Sequence, residues 1–144
     1  MNINIKLVRD GAKVPTYGSA SAAGADLYAC VDKRTAIWPG DTVAIPTGVA
    51  VEIPDGYAGL IYARSGLSCK KGLAPANKVG VIDSDYRGEM VVMLYNQGKE
   101  TQFIENGDRI AQFVITPVVQ GMFNVVDELS DTNRGSGGFG STGK

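Results

Sequence analysis

Apolar residues in this chain recur at every second position rather than at helical spacing. Ile3, Ile5 and Leu7 alternate with Asn4 and Lys6. A period of two sends successive side chains to opposite faces of a strand. The pattern predicts a short strand through Val43 and Ile45 that ends at Pro46. The next runs through Val49, Val51 and Ile53 and is closed by Pro54-Asp55-Gly56. Further strands are expected over Ala58–Tyr62, Glu89–Tyr95, Arg109–Thr116 and Phe123–Val126. Turn signals such as Pro39-Gly40, Asn96-Gln97-Gly98 and Asn106-Gly107-Asp108 separate them. Only Ser65–Lys71 reads as a helix, with Ser65 as its cap and Gly72 as its stop. Many short, regularly punctuated strands predict an all-β fold, a jelly-roll-like sandwich or small barrel with one short helix.

Met90-Val91-Val92-Met93-Leu94-Tyr95 is apolar on both faces. Either both faces lie in the core or one meets another subunit. A domain this small covers few strands on both sides, so the second reading is preferred, and it implies a closed homo-oligomer.

The chain has 144 residues, enough for one domain, and 44% of them are hydrophobic. The net charge of −1 gives no basic excess for general nucleic-acid or membrane-surface binding. No apolar run approaches the length of a membrane span and the N-terminus lacks a signal-peptide pattern, so a cytoplasmic location is expected. Cys30 and Cys69 are expected to be reduced and structural. Histidine is absent, which removes Ser-His-Asp and Cys-His catalysis and any His-bound zinc. An enzyme built from this chain would use a carboxylate base and a hard, oxygen-bound metal.

Four segments and the tail carry candidate chemistry. In Ala22-Ala23-Gly24-Ala25-Asp26-Leu27, Asp26 is either an exposed turn residue or a carboxylate facing a hydrated metal. In Ala63-Arg64-Ser65-Gly66-Leu67-Ser68, Ser65 is an ordinary N-cap, or Arg64, Ser65 and Gly66 together receive a phosphate. Gly80-Val81-Ile82-Asp83-Ser84-Asp85-Tyr86-Arg87-Gly88 holds the densest charge pattern. A calcium loop is excluded there, because Arg87 and Leu94 occupy positions where ligands belong. The segment is either a turn with solvated acids or one whose Asp83, led out of an apolar strand, is partly buried and able to act as a base. In Gly107-Asp108-Arg109-Ile110-Ala111-Gln112-Phe113, Gln112 makes a core hydrogen bond or points into a phosphate pocket. The tail from Arg134 to Lys144 is too rich in glycine and hydroxyl residues to fold alone. Its bare amides, Arg134 and Phe139 suit phosphates and a base. Gly138–Lys144 imitates a phosphate-binding P-loop but lacks the flanking strand and helix.

Taken in order, Ala-Gly-Ala-Asp-Leu, Arg-Ser-Gly-Leu, Gly-Val-Ile-Asp-Ser-Asp-Tyr-Arg-Gly, Gly-Asp-Arg-Ile-Ala-Gln and Arg-Gly-Ser-Gly-Gly-Phe-Gly-Ser-Thr-Gly resemble the five motifs of the trimeric dUTPase family. The resemblance implies a jelly-roll homotrimer with sites at subunit interfaces, in which residues 1–130 form the domain and 131–144 a C-terminal lid. It implies Mg²⁺-dependent hydrolysis of dUTP to dUMP and pyrophosphate, which limits uracil in DNA and supplies dUMP. By the same resemblance, Asp83 activates the water that attacks the α-phosphorus. Asn77 and the backbone of Gly80, Val81 and Ile82 read uracil, and Tyr86 packs under the deoxyribose. Arg64, Ser65, Gly66 and Gln112 hold the phosphates, and Asp26 reaches the metal through water. Arg134, Gly140, Ser141 and Thr142 close over the outer phosphates while Phe139 covers the base. Pro75 and Lys78 flank the uracil hairpin and are expected to alter its shape. The alternatives are a dCTP deaminase-like enzyme, which needs an acid beside C4 of the base, and a non-catalytic β-sandwich assembly module.

Overall fold

The computed structural model describes residues 1–138, so Phe139, Gly140, Ser141 and Thr142 lie outside the described residues. Eleven strands and one helix follow in this order: β1 (Asn4–Leu7), β2 (Thr16–Tyr17), β3 (Ala25–Tyr28), β4 (Thr35–Ile37), β5 (Thr42–Glu52), β6 (Tyr57–Tyr62), α1 (Ser65–Lys71), β7 (Leu73–Pro75), β8 (Gly80–Ile82), β9 (Glu89–Asn96), β10 (Gln102–Ile104) and β11 (Arg109–Pro117). They form a four-stranded sheet in the order β1-β5-β9-β7, a five-stranded sheet in the order β2-β3-β11-β6-β8 and a small β10-β4 ladder. Every pairing is antiparallel. The core is one cluster to which all three sheets contribute, including Ile45, Val51, Met90 and Leu94, then Leu27, Ile61 and Phe113, then Ile37 and Ile104. An all-β fold with one short helix is what the alternating pattern predicts.

Two strands expected around Pro46 are one. β5 runs through the proline, and its register with β9 shifts between Pro46 and Ala50. Thr42–Pro46 pair with β9; beyond the shift Ala50 still opposes Glu89 of β9 while Val49–Glu52 also pair with β1 on the other side. The missing proline N–H thus falls at the register shift, the kind of irregular point that tolerates proline. Buried Thr47 stabilises the change by donating its hydroxyl to the Met90 carbonyl at 2.7 Å.

The helix has the expected bounds but not the expected cap. Arg64, in extended conformation, is the N-cap residue and no side chain caps the end; Ser65 is the first helical residue. Gly72 stops the helix at φ 68°, in the left-handed region that glycine enters without steric cost, and its N–H donates to the Ser68 carbonyl at 3.1 Å. Phe123–Val126 forms no strand. Met122, Phe123 and Val125 stand in solvent without a ladder partner in this chain, and a strand cannot persist without one.

β9 shows both faces of the doubly apolar strand. Met90, Val92 and Leu94 enter the core, whereas Val91 and Met93 are 41% and 43% exposed on the other side. Cys30 and Cys69 are unbridged. Among the described residues, no helix is long and apolar enough to cross a membrane.

Candidate active site

The five-stranded sheet places Asp26, Gln112 and Tyr62 in one row, since Gln112 pairs with both of the others across β3, β11 and β6. Alternation sends their neighbours Leu27, Ala111 and Ile61 into the core and leaves Asp26 on the opposite face. Asp26 is nonetheless buried, with its side chain only 7% exposed. Two arginines cover it. Arg64 Nε donates to Oδ1 at 2.9 Å, and Arg109 Nη1 donates to Oδ2 at 3.2 Å. Arg64 also donates to the Arg109 carbonyl at 3.1 Å. The exposed-turn reading of Asp26 is therefore corrected: the residue lies inside β3, and the glycine before it lets that stretch pack closely against Gln112 and Val114 of β11. Removing both arginines would leave the buried carboxylate uncompensated, a loss of about 3–5 kcal/mol, whereas losing one leaves the other guanidinium in place.

Arg109 is a second cation beside Asp26 that the pattern did not single out. The β3–β11 register shifts between Arg109 and Ala111. Both Ile110 and Ala111 point into the core, so the extra residue turns Arg109 onto the face of Asp26. Bulges commonly re-aim side chains in this way beside functional sites. Two guanidiniums against one carboxylate leave an excess positive charge. Arg64, Gly66, Lys71 and Arg109 line a depression of about 250 Å³ at this end of the sheet. Ser65 and Gly66 are exposed beside it and Gln112 is half-buried.

The second group lies at the far edge of the same sheet. β8 pairs with β6 through Ile61–Gly80, Leu60–Val81 and Gly59–Ile82. The connection from β7, which crosses from one sheet to the other, turns at Lys78, whose φ of 66° is in the left-handed region. Lys78 N donates to the Pro75 carbonyl at 3.0 Å and Val79 N to the Asn77 carbonyl at 2.7 Å, which closes the turn. Asn77 is exposed at its tip. Asp83 follows β8 directly and lines a cleft of about 210 Å³ with Val81, Ile82, Tyr86, Glu89 and Val91. It is exposed in the single chain, not partly buried, at the end of β8, the edge strand of its sheet.

These groups do not meet within one chain. β3 and β8 are three strands apart, and the registers set Asp83 four residues further along than Asp26. Strand spacing and rise make that separation roughly 20 Å. Arg134 is exposed and donates through Nε to the Gly137 carbonyl at 2.8 Å.

Among the described residues, no three His, Cys, Asp or Glu side chains gather as a metal site. Asp26 is a hard oxygen donor with both oxygens already engaged. The residues present therefore fit an ion held mainly by phosphate oxygens and water, not one caged by protein.

An all-β sandwich carrying a cation-rich depression at one end of a sheet and an acid-lined cleft at the other is the class of a phosphate-handling enzyme. The dUTPase family model matches residues 10–143. A deoxyuridine 5'-triphosphate nucleotidohydrolase of Desulfitobacterium hafniense is 54% identical over 132 residues, covering 91% of this chain and 87% of that protein. Its namesake in Burkholderia cenocepacia is 47% identical over 148 residues, covering 100% and 99%. The fold superposes on a dUTPase of Staphylococcus bacteriophage 80alpha solved with dUPNHPP, at a TM-score of 0.91, 30% identity and 99% coverage of both chains. The chain belongs to the dUTPase family.

Proposed function

We propose that this protein hydrolyses dUTP to dUMP and pyrophosphate. The observation that carries the reading is the family match over residues 10–143, which spans both the Asp26, Arg64 and Gln112 group and the Val81–Tyr86 cleft. Asp83 takes a proton from water as its oxygen bonds the α-phosphorus. The bond from that phosphorus to the oxygen bridging it to the β-phosphorus breaks, and pyrophosphate leaves. Arg64, Ser65, Gly66 and Gln112 hold the phosphate chain, work that is chiefly positioning and charge neutralisation. Asn77 and the Gly80–Ile82 backbone read uracil, and Tyr86 packs against the sugar. Reading cytosine with the same backbone leaves buried polar groups unpaired, at about 1–3 kcal/mol each.

Mg²⁺ is the expected cofactor, and a phage phi11 dUTPase variant with a TM-score of 0.81 was solved to reveal the coordination of a structural Mg(II) ion. When bound with substrate, the ion would draw charge from the phosphates, with Asp26 on its water shell. Residues 131–144 act as a lid, with Arg134, Gly140, Ser141 and Thr142 over the outer phosphates and Phe139 over the base. The reaction takes place in the cytoplasm, with neither nucleic acid nor membrane as partner.

The site is shared between protomers of a homotrimer. A carboxylate hydrating a metal on the phosphates and one activating water at the innermost phosphorus must serve one triphosphate. The roughly 20 Å between Asp26 and Asp83 in a single chain forbids that. The exposed Val91 and Met93 face and the apolar segment through Phe123 are the surfaces that assembly would cover.

Pyrophosphate release from dUTP, dTTP, dCTP and UTP with magnesium tests the reading. Selective turnover of dUTP is expected. Conversion of dCTP to dUTP would favour the deaminase instead. Asp83→Asn is expected to keep dUTP binding and slow hydrolysis by about 10²–10⁴-fold; an unchanged rate removes Asp83 from the mechanism.

A further inference from the structure

We propose that Glu89, clamped by Arg9, is a positioning residue for Tyr86 and thereby sets discrimination between deoxyribo- and ribonucleotides. The inference rests on the reading of Tyr86 as the sugar-facing residue. Glu89 opens β9 and lines the Asp83 cleft beside Tyr86. Its carbonyl accepts the Tyr86 hydroxyl at 3.1 Å. Its carboxylate turns instead to Arg9 and the Gly48 amide and is only 18% exposed. There Oε1 accepts both Arg9 Nε and the Gly48 amide, each at 2.7 Å. Gly48 stands at the irregular point of β5, and Arg9 follows β1. Three separate stretches of chain therefore converge on one oxygen, and the same residue fixes the tyrosine.

The tyrosine has little room to settle elsewhere. A Cβ at Gly88 would overlap the Tyr86 ring and hydroxyl, so the ring lies directly over backbone. Tyr86 N donates to the Asp83 carbonyl at 3.2 Å, which ties the ring to the turn that carries the catalytic acid. Arg87 closes the loop by donating to the Ser84 carbonyl at 2.6 Å and the Tyr86 carbonyl at 3.1 Å. The remaining freedom of the loop is where Glu89 enters β9, and that is where the clamp acts. An ordered surface that rejects one extra hydroxyl must be held to a fraction of an ångström. Arg9, remote from the cleft in sequence, contributes to that precision.

The test compares Arg9→Ala, Arg9→Lys, Glu89→Gln and Tyr86→Phe in the full chain with magnesium. The readouts are kcat/KM for dUTP and for UTP, and amide exchange over residues 84–88. Arg9→Ala and Glu89→Gln are expected to lower the dUTP:UTP ratio by about tenfold while leaving kcat for dUTP within about threefold, because the acid and the phosphate ligands are untouched. Arg9→Lys is expected to restore part of the ratio, and Tyr86→Phe to lower it in the same direction. Exchange over residues 84–88 should quicken in Arg9→Ala. A purely structural pair would lower the melting temperature and both kcat/KM values together. An unchanged ratio, or unchanged exchange over that loop, overturns the proposal. Arg9 is 48% exposed, so its variants carry the test even if Glu89→Gln fails to fold. A wild-type chain that turns over neither nucleotide would sink the proposed function, and the exchange measurement would still decide the clamp.

Discussion

At the residue scale, charge is concentrated at two carboxylates with contrasting partners. Asp26 is held by Arg64 and Arg109, Glu89 by Arg9 and a backbone amide. The hydrogen bond from Arg9 is the largest influence on Glu89 and draws its pKa below the ordinary value; burial opposes the shift and the Gly48 amide reinforces it. A carboxyl with a depressed folded pKa contributes stability above its unfolded pKa, about 4.3, and loses it as pH falls through the lower folded value. The melting-temperature gap between wild type and Glu89→Gln is therefore expected to be widest near neutrality and to close in acid below about pH 4. Arg109 should behave differently from Arg64. Arg109→Ala leaves Asp26 one guanidinium, and the loss should fall on both stability and phosphate binding.

At the scale of elements, irregular points do most of the positioning. The bulge in β11 aims Arg109, the shift in β5 presents the Gly48 amide, and Gly72 ends α1 so that β7 can begin at once. A Cβ on Gly72 would lie 2.8 Å from the Gly98 backbone nitrogen, and its φ of 68° already disfavours any other residue. Gly72→Ala is expected to cost about 1–2 kcal/mol in denaturant unfolding, with dUTP turnover at low temperature nearly unchanged. The long strands were legible because β6, β9 and β11 each carry an apolar run of strand length bounded by turn residues. β2, β4, β7, β8 and β10 have two or three residues each, too few to carry a period. β3 was hidden by its small residues, which read as a turn. The motif residues Asp26, Arg64 and Gln112 were legible, and the structure brings them together. Arg109 sat inside a motif already singled out, and its charge beside a glycine turn was a usable signal. Nothing local marks Arg9, whose partner is 80 positions away, a distance only the fold can close.

At the scale of the molecule, a single chain leaves apolar surface uncovered. Val91, Met93 and the segment through Phe123 are exposed together with Val81. Met93→Glu is expected to shift the assembly toward smaller species in sedimentation and to reduce turnover in parallel, since a site divided between protomers cannot outlast their separation. Retained turnover by a dissociated chain would contradict shared sites.

The distance across the five-stranded sheet from Asp26 to Asp83 has one more consequence. If each pocket borrows its acid from one chain and its arginine from a neighbour, two dead proteins can make a live one. Asp83→Asn and Arg64→Ala, each strongly impaired alone, would regain activity when unfolded, mixed and refolded together, because about a quarter of the junctions formed at random pair an intact acid with an intact arginine.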